Sequence, residues 1–86
     1  MTLIEELTEI TVGQNIMVTL NLDNLHKVTY LVMVISNKNG AISGKFVSEK
    51  DGSIDDLYKS WAPTGAFSYN ECADFTILHE DCDLGI

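Results

Sequence analysis

The chain has 86 residues and carries thirteen acidic residues against five lysines, which gives a formal net charge of −8; there is no arginine. Arginine is the preferred side chain for phosphate oxygens and base edges. The composition therefore argues against direct binding to nucleic acid or to an anionic membrane. A hydrophobic share of 45% is typical of a folded chain, and we expect one domain spanning residues 1–86.

The sequence also predicts a cellular compartment. No apolar run is long enough to span a bilayer, and Glu5 and Glu6 stand where a signal peptide would carry basic residues. We therefore expect a cytoplasmic protein. Cys72 and Cys82 are predicted to be free thiols there, because the cytosol is reducing.

The N-terminal residues have the pattern of a capped helix followed by a strand. Thr2 and Glu5 have the spacing of a capping box, and apolar residues recur behind them at helical spacing, which predicts a helix over residues 3–10. Residues 16–22 then alternate between apolar and polar side chains. This alternation predicts a half-buried strand whose inward side chains are Ile16, Val18, Leu20 and Leu22.

A β-hairpin is the strongest local prediction. Residues 28–35 and 41–47 are rich in β-branched and aromatic side chains, and Asn39-Gly40 lies between them. Asn-Gly accepts the two positive φ angles of a type I′ turn. The turn predicts a register in which Lys38 faces Ala41, Val34 faces Lys45 and Met33 faces Phe46.

The hairpin is apolar on both faces. In the predicted register one face is a core face, made by Leu31, Met33, Ile35, Ile42 and Phe46. The other face carries Tyr30, Val32, Val34 and Val47, and it has to be covered by another element or another subunit. Self-association is therefore expected to use Tyr30, Val32 and Val34.

The second half of the chain predicts a crossover helix and a later strand. Ser53 is a candidate N-cap, and the residues behind it place an apolar helix face, ending before Pro63, on Ile54, Leu57, Tyr58 and Trp61. Residues 66–71 fit either a short edge strand or a capped turn. Residues 73–78 predict a last strand.

These elements predict an α+β fold. A three-strand antiparallel meander is joined by a later strand, an N-terminal helix and one crossover helix. The alternative is a small half-open β-barrel of the SH3-like kind, in which Gly44 would suit a bend.

The candidate chemical sites are sparse. His79 with Cys82 and Cys72 invites a metal site, but the two cysteines lie ten residues apart, whereas structural zinc uses closely spaced ligand pairs. The same residues offer no third group to orient a Cys–His nucleophile. We predict no metal site, no cofactor and no enzymatic activity.

Aromatic residues surround Pro63. They would line a ligand pocket or an interface, or they would simply pack the crossover helix on the sheet. The candidates are Tyr58, Trp61, Phe67 and Tyr69.

Acidic residues are concentrated late in the chain. Residues 1–48 hold four acids and three lysines, whereas residues 49–86 hold nine acids and two lysines. Such charges are usually a solvated face, but an asymmetric field also steers a basic partner. The predicted partner-binding residues are Asp51, Asp55, Asp56, Glu80, Asp81 and Asp83.

In size, acidity and lack of catalytic motifs, the chain is similar to small acidic phage-type inhibitors, including DNA-mimic anti-restriction and anti-CRISPR proteins. The resemblance is compositional, and no functional residue is carried over from it. It implies a non-enzymatic inhibitor in the host cytoplasm, whose carboxylates replace phosphates on a host defence or nucleic-acid-binding protein. The alternatives are an oligomeric protein that sequesters a nucleotide or metabolite, and an accessory interaction domain.

Overall fold

The computed structural model describes residues 2–23 and 25–78. It confirms an α+β arrangement with a short N-terminal helix and an antiparallel sheet. The helix and strands are α1 (Leu3–Thr8), β1 (Asn15–Asn21), β2 (Lys27–Lys38), β3 (Ala41–Ser48), β4 (Thr64–Ser68) and β5 (Cys72–Leu78). Two 3₁₀ turns follow β3 and β4, at Ile54–Tyr58 and Tyr69–Glu71. Within the described residues, no helix is long and apolar enough to cross a membrane.

The sheet has the strand order β4-β3-β2-β1-β5. The predicted meander of β1, β2 and β3 is confirmed, and the later strand β5 pairs with β1. In a flat sheet the two edge strands would lie about 19 Å apart, at about 4.8 Å per strand. The second 3₁₀ turn joins those edges with only Tyr69–Glu71 between them, a span of at most about 14 Å. The sheet is therefore curled.

Helix α1 closes one end of the curled sheet. Its predicted capping box is present: Thr2 Oγ1 accepts a hydrogen bond from the Glu5 N–H, and Glu5 Oε1 accepts one from the Thr2 N–H. The helix ends at Thr8 rather than at residue 10. Leu7 and Ile10 are nevertheless buried in the main core, so the segment behind the helix continues the cover.

Asn37 ties this end of the sheet together. Its Nδ2 donates to the carbonyl oxygens of Leu7 at 2.9 Å and Ile10 at 2.8 Å, and its Oδ1 accepts a hydrogen bond from the Tyr69 hydroxyl. One side chain thus joins α1, β2 and the second 3₁₀ turn.

The predicted turn at Asn39-Gly40 is confirmed. Asn39 has φ 57° and Gly40 has φ 78°, and Lys38 pairs with Ala41 across the turn. Both positive φ angles are those that a two-residue hairpin loop requires.

The register beyond the turn differs from the prediction. A bulge at Ile35 leaves that residue without a partner in β3, so that Val34 pairs with Gly44 and Val32 pairs with Phe46. The predicted pairs of Val34 with Lys45 and Met33 with Phe46 are therefore wrong. A bulge adds one residue to one strand, and a shift of one residue exchanges the two faces.

The bulge changes which hydrophobic residues of β2 and β3 share a face of the sheet. Ile42 and Phe46 share the main core with Val32 and Val34, while Ile35 is 47% exposed. The other face of the sheet carries a smaller cluster made by Leu31, Val47, Leu57 and Ala62. The predicted core face, which grouped Leu31, Met33 and Ile35 with Ile42 and Phe46, is therefore wrong.

The expected self-association surface changes with this correction. Val32 and Val34 are covered within the chain, at 0% and 1% exposure, so neither is a surface on which a second copy docks. Tyr30 is half-buried at one end of the main core. Self-association itself stays a prediction, without these two valines.

The predicted crossover helix is only a 3₁₀ turn. Ser53 is its N-cap residue, whose backbone N–H donates to Asp56 Oδ2 at 2.9 Å, and Leu57 is fully buried on the sheet. The turn ends at Tyr58 because the chain becomes extended at Lys59. Tyr58 and Trp61 are consequently exposed, and the prediction that they pack a helix on the sheet is wrong.

Gly44 offers a direct test of the bulge. A Cβ at this residue would lie 2.0 Å from the Met33 carbonyl oxygen, whereas a Cβ at Gly65, its partner in β4, would lie 3.4 Å from its nearest neighbour, in the Phe46 ring. We expect Gly44→Ala to lower the free energy of unfolding by about 2 kcal/mol or more. Gly65→Ala should change it by no more than about 0.5 kcal/mol. Urea denaturation measures both, and equal effects would contradict the bulge.

We expect the attachment of the α1 segment to the sheet to depend on the Asn37 side chain. Replacing Asn37 with alanine removes its hydrogen bonds to the Leu7 and Ile10 carbonyl oxygens and from the Tyr69 hydroxyl, and we expect a loss of about 2 kcal/mol in the free energy of unfolding. Tyr69→Phe removes one hydrogen bond only and should cost about 1 kcal/mol. Thermal unfolding followed by circular dichroism compares the two variants. A larger loss for Tyr69→Phe would contradict this ranking.

Candidate binding groove

An open apolar groove lies at the end of the sheet away from α1. It consists of two adjoining cavities, of about 390 Å³ and about 230 Å³, that share Tyr30, Phe46 and Pro63. We call the pair the mouth groove. The larger cavity extends to Leu20, Leu22, Phe67 and Glu71, and the smaller one to Val47, Asp51 and Trp61.

Three aromatic rings form the base of the mouth groove. The Phe46 ring stands between the other two, in edge-to-face contact with Tyr30 at 5.5 Å and with Phe67 at 6.1 Å between centroids. Phe46 and Phe67 are buried in the main core, while Tyr30 is half-buried. Such T-shaped contacts are favourable for aromatic quadrupoles, so the base is a packed part of the core.

Gly65 lies against the Phe46 ring, and Phe46, at 8% exposure, presents only a small part of its surface to the mouth groove. A Cβ at this residue would lie 3.4 Å from Phe46 Cδ1 and 3.6 Å from Cε1, which is ordinary contact. A side chain longer than a methyl group would cover the ring. The glycine therefore leaves space where the larger cavity meets β4.

Two large apolar side chains stand exposed in the mouth groove, one in each cavity. Leu22, in the larger cavity, is 65% exposed, and Trp61, in the smaller cavity, is 60% exposed. The prediction that Leu22 faces inward is wrong, because β1 ends at Asn21.

The β1–β2 turn that carries Leu22 is held by a carboxylate. Asp23 Oδ1 accepts hydrogen bonds from the backbone N–H groups of Leu25 and His26, each at 2.8 Å. The Leu25 N–H and the His26 ring hold the pKa of the Asp23 carboxyl below its ordinary value. The turn is therefore locally ordered by its own polar groups.

The rim of the mouth groove is acidic. Glu71 borders the larger cavity and Asp51 the smaller one, and none of the described residues that line either cavity is basic. Glu71 Oε1 accepts a hydrogen bond from the Ser68 N–H at 2.9 Å, which fixes this carboxylate at the start of β5. The groove thus offers apolar surface with negative charge beside both cavities.

The predicted aromatic candidates separate into two groups. Phe67 and Trp61 line the mouth groove, but Tyr58 and Tyr69 do not. The Tyr58 hydroxyl accepts a hydrogen bond from Asn15 Nδ2 at 2.6 Å, and the Tyr69 hydroxyl donates to Asn37. Sequence reasoning missed Phe46, Tyr30 and Leu22 as groove residues, because their position depends on the bulge and on the curl.

The predicted acidic residues differ in their surroundings. Asp51 and Asp55 are exposed, whereas Asp56 accepts the Ser53 N–H and lies 3.5 Å from Lys59 Nζ. We call Glu49, Asp51, Asp55 and Asp56 the acidic turn. Glu80, Asp81 and Asp83, with His79 and Cys82, lie outside the described residues.

Acidic residues of the first half of the sequence lie beside residues of the second half in the folded chain. Glu6 of α1 and Glu9, directly behind the helix, line a cleft together with Phe75 and Ile77 of β5. The charge asymmetry between the two halves of the sequence therefore does not carry over simply to two halves of the molecule.

Cys72 is a buried thiol. It is 5% exposed, and its Sγ donates to the Asp74 carbonyl oxygen at 3.3 Å. Burial raises the pKa of this thiol to about 11. In the described part of the chain, no three His, Cys, Asp or Glu side chains are close enough together to hold a metal ion.

The thiol of Cys72 should react slowly in the folded protein. In a Cys82→Ser variant, iodoacetamide at pH 8 should alkylate Cys72 at least about 100-fold more slowly than in urea, because a pKa two units higher lowers the thiolate fraction by that factor. Since the folded pKa is raised, the thiol also stabilises the fold below about pH 9, and this contribution is lost as the pH rises towards 11. Mass spectrometry of the alkylated protein measures the rate, and equal rates would contradict the burial.

Comparisons with known proteins do not indicate what the mouth groove binds. No protein-family model, no curated protein and no solved structure matches this chain.

Proposed function

We propose that this is a non-enzymatic binding protein that occupies a basic surface on its partner, with carboxylates in the place of nucleic-acid phosphates. The observation that carries the proposal is unbalanced negative charge. Among residues 2–23 and 25–78, the ion pairs within 4 Å are Lys59 with Asp56 and His26 with Asp23. The other described carboxylates have no basic group of residues 2–23 and 25–78 within that distance.

The acidic turn is the surface that suits such a partner best. Glu49, Asp51 and Asp55 are exposed, and Asp51 also lines the mouth groove. Charges without a counterion in their own chain contribute little to stability, but together they attract and orient a basic partner. A partner that meets this turn also meets an apolar groove beside it.

The proposal includes the phage-type inhibitor class that the composition resembles. An inhibitor that acts by occupancy needs an acidic surface and a rigid support, and it needs no catalytic residues. Its partner would be a host defence or nucleic-acid-binding protein, and its place of action the host cytoplasm. We further propose that the curled sheet is a half-open small barrel, since a three-residue turn connects its two edges.

A second candidate function is the binding of a small ligand, and the size of the mouth groove favours it. The larger cavity, about 390 Å³, falls within the range of ligand sites. Because its charged rim is acidic, a cationic or neutral metabolite suits it better than a nucleotide. An accessory interaction domain would use the same groove for a protein segment.

Charge reversal at two places tests the main proposal. Glu49 and Asp55 belong to the acidic turn and line neither cavity of the mouth groove. We expect Glu49→Lys with Asp55→Lys to abolish the retention of bacterial heparin-binding proteins on the immobilised protein. Glu6→Lys with Glu9→Lys changes the net charge equally at the α1 end and should reduce retention far less. Quantitative mass spectrometry of the retained proteins compares the two variants with the unmodified chain.

Two further measurements test whether the retained proteins bind this chain through the surface that they use for nucleic acid. Duplex DNA should elute the retained proteins, because both would compete for one basic surface. Raising the salt concentration should slow association, since exposed charges are screened within about 8 Å at physiological ionic strength. Equal losses in the two variants, or retention that duplex DNA does not reverse, would contradict the proposal.

A further inference from the structure

The mouth groove exposes apolar surface to water, and this exposure does not stabilise the fold. Leu22 in the larger cavity and Trp61 in the smaller one are more than half exposed, and Tyr30, which lines both cavities, is only partly covered. Their burial by the chain would have been favourable by about 25 cal/mol for each Å² removed from water. Contiguous exposed apolar surface with a polar rim marks a binding site, and aromatic residues dominate such sites energetically.

The chemistry of the mouth groove specifies the charge of its occupant. Phe46, Tyr30 and Trp61 present aromatic carbon, while Glu71 and Asp51 place a carboxylate beside each cavity. An ammonium or guanidinium group is attracted both to aromatic faces and to carboxylates. A phosphate or carboxylate ligand would meet like charge without a basic residue among the described lining residues.

The edge of the sheet specifies the shape of the occupant. Three consecutive residues of β4, from Gly65 to Phe67, line the larger cavity, and β4 is an edge of the sheet formed by the described residues. Extended segments bind readily beside sheet edges, with alternate side chains entering pockets. Gly65 has no side chain to keep another backbone away from this edge.

We propose that the mouth groove binds a short extended segment of the partner in which a lysine or arginine is next to an apolar residue. The apolar side chain lies over the Phe46 ring in the larger cavity, and the cationic group reaches Glu71 or Asp51. This inference rests on the proposed function for the positive charge of the partner. It adds an apolar contact, which a purely electrostatic interaction with the acidic turn would not need.

Synthetic peptides separate the anchor from the charge. The probe is Gly-Lys-Leu-Lys-Leu-Lys-Gly with blocked ends, and serine in place of leucine gives a control of equal charge. Trp61 is the one tryptophan of the chain and lines the smaller cavity, so its fluorescence reports occupancy. We expect saturable binding of the leucine peptide, with a Kd at least ten times lower than that of the serine peptide.

A matched pair of variants locates the site. Leu22 lines the larger cavity, whereas Leu25 lies in the same turn, is 87% exposed and lines neither cavity. Leu22→Lys should weaken binding of the leucine peptide at least fivefold, and Leu25→Lys less than twofold. Ala66→Lys, also exposed and in the larger cavity, replaces Leu22→Lys if that variant fails to fold.

A second pair tests the rim. Glu71→Gln keeps an oxygen to accept the Ser68 N–H but removes the charge, and Glu6→Gln removes one charge from α1. Only the first should weaken binding of the leucine peptide, by threefold or more. Equal effects of Glu71→Gln and Glu6→Gln would show that only the total charge of the protein matters, and this would overturn the proposed role of the rim.

The outcomes distinguish this inference from the proposed function. Equal affinities for the leucine and serine peptides, or equal losses in Leu22→Lys and Leu25→Lys, overturn the groove proposal and leave the acidic turn unaffected. A neutral peptide, Gly-Ser-Leu-Ser-Leu-Ser-Gly, that binds as tightly as the lysine-leucine peptide overturns the need for positive charge. If the leucine peptide binds as expected while heparin-binding proteins are not retained, the proposed function fails and the groove stands.

Discussion

The close approach of β2 and β3 at Gly44 is the constraint on which the rest of the structure depends. The Met33 carbonyl oxygen occupies the space of the missing Cβ, and the bulge at Ile35 sets the register on the far side of that contact. Because the bulge exchanges the faces of the hairpin, Phe46 points into the main core together with Val32 and Val34. In the unbulged register Phe46 would lie on the opposite face from these valines, and the mouth groove would lose its base.

The two ends of the curled sheet are treated differently by the chain. At one end Leu7 of α1 and Ile10, just behind the helix, cover the core, and Asn37 donates to the carbonyl oxygens of both residues. At the other end the chain makes a tight turn at Asp23, which keeps Leu22 outside the core. The core is thus covered at the α1 end, whereas Phe46 and Tyr30 border the mouth groove.

The features that could be predicted from the sequence are those formed by residues close together in the chain. Thr2 and Glu5 make their capping box within one turn, and Asn39-Gly40 makes its positive φ angles within two residues, so both follow from neighbours in sequence. The bulge, the pairing of β5 with β1 and the mouth groove depend on residues far apart in the chain. The sequence alone contains no information on the Met33 carbonyl oxygen at Gly44, so Tyr30, Val32 and Val34 were assigned to the wrong face relative to Ile42 and Phe46.

In the complex that we propose, the acidic turn and the mouth groove act on different steps of binding. Exposed carboxylates such as Glu49 and Asp55 act at long range, so they raise the rate of encounter and are weakened by salt. Contacts with Phe46 and Leu22 act only after water has left the groove, so they set how slowly the complex dissociates. Nucleic acid competes for a basic surface through charge alone in its non-specific binding. A mimic with fewer charges than a duplex would gain in this competition from contacts that salt does not screen, and we propose that the mouth groove supplies them.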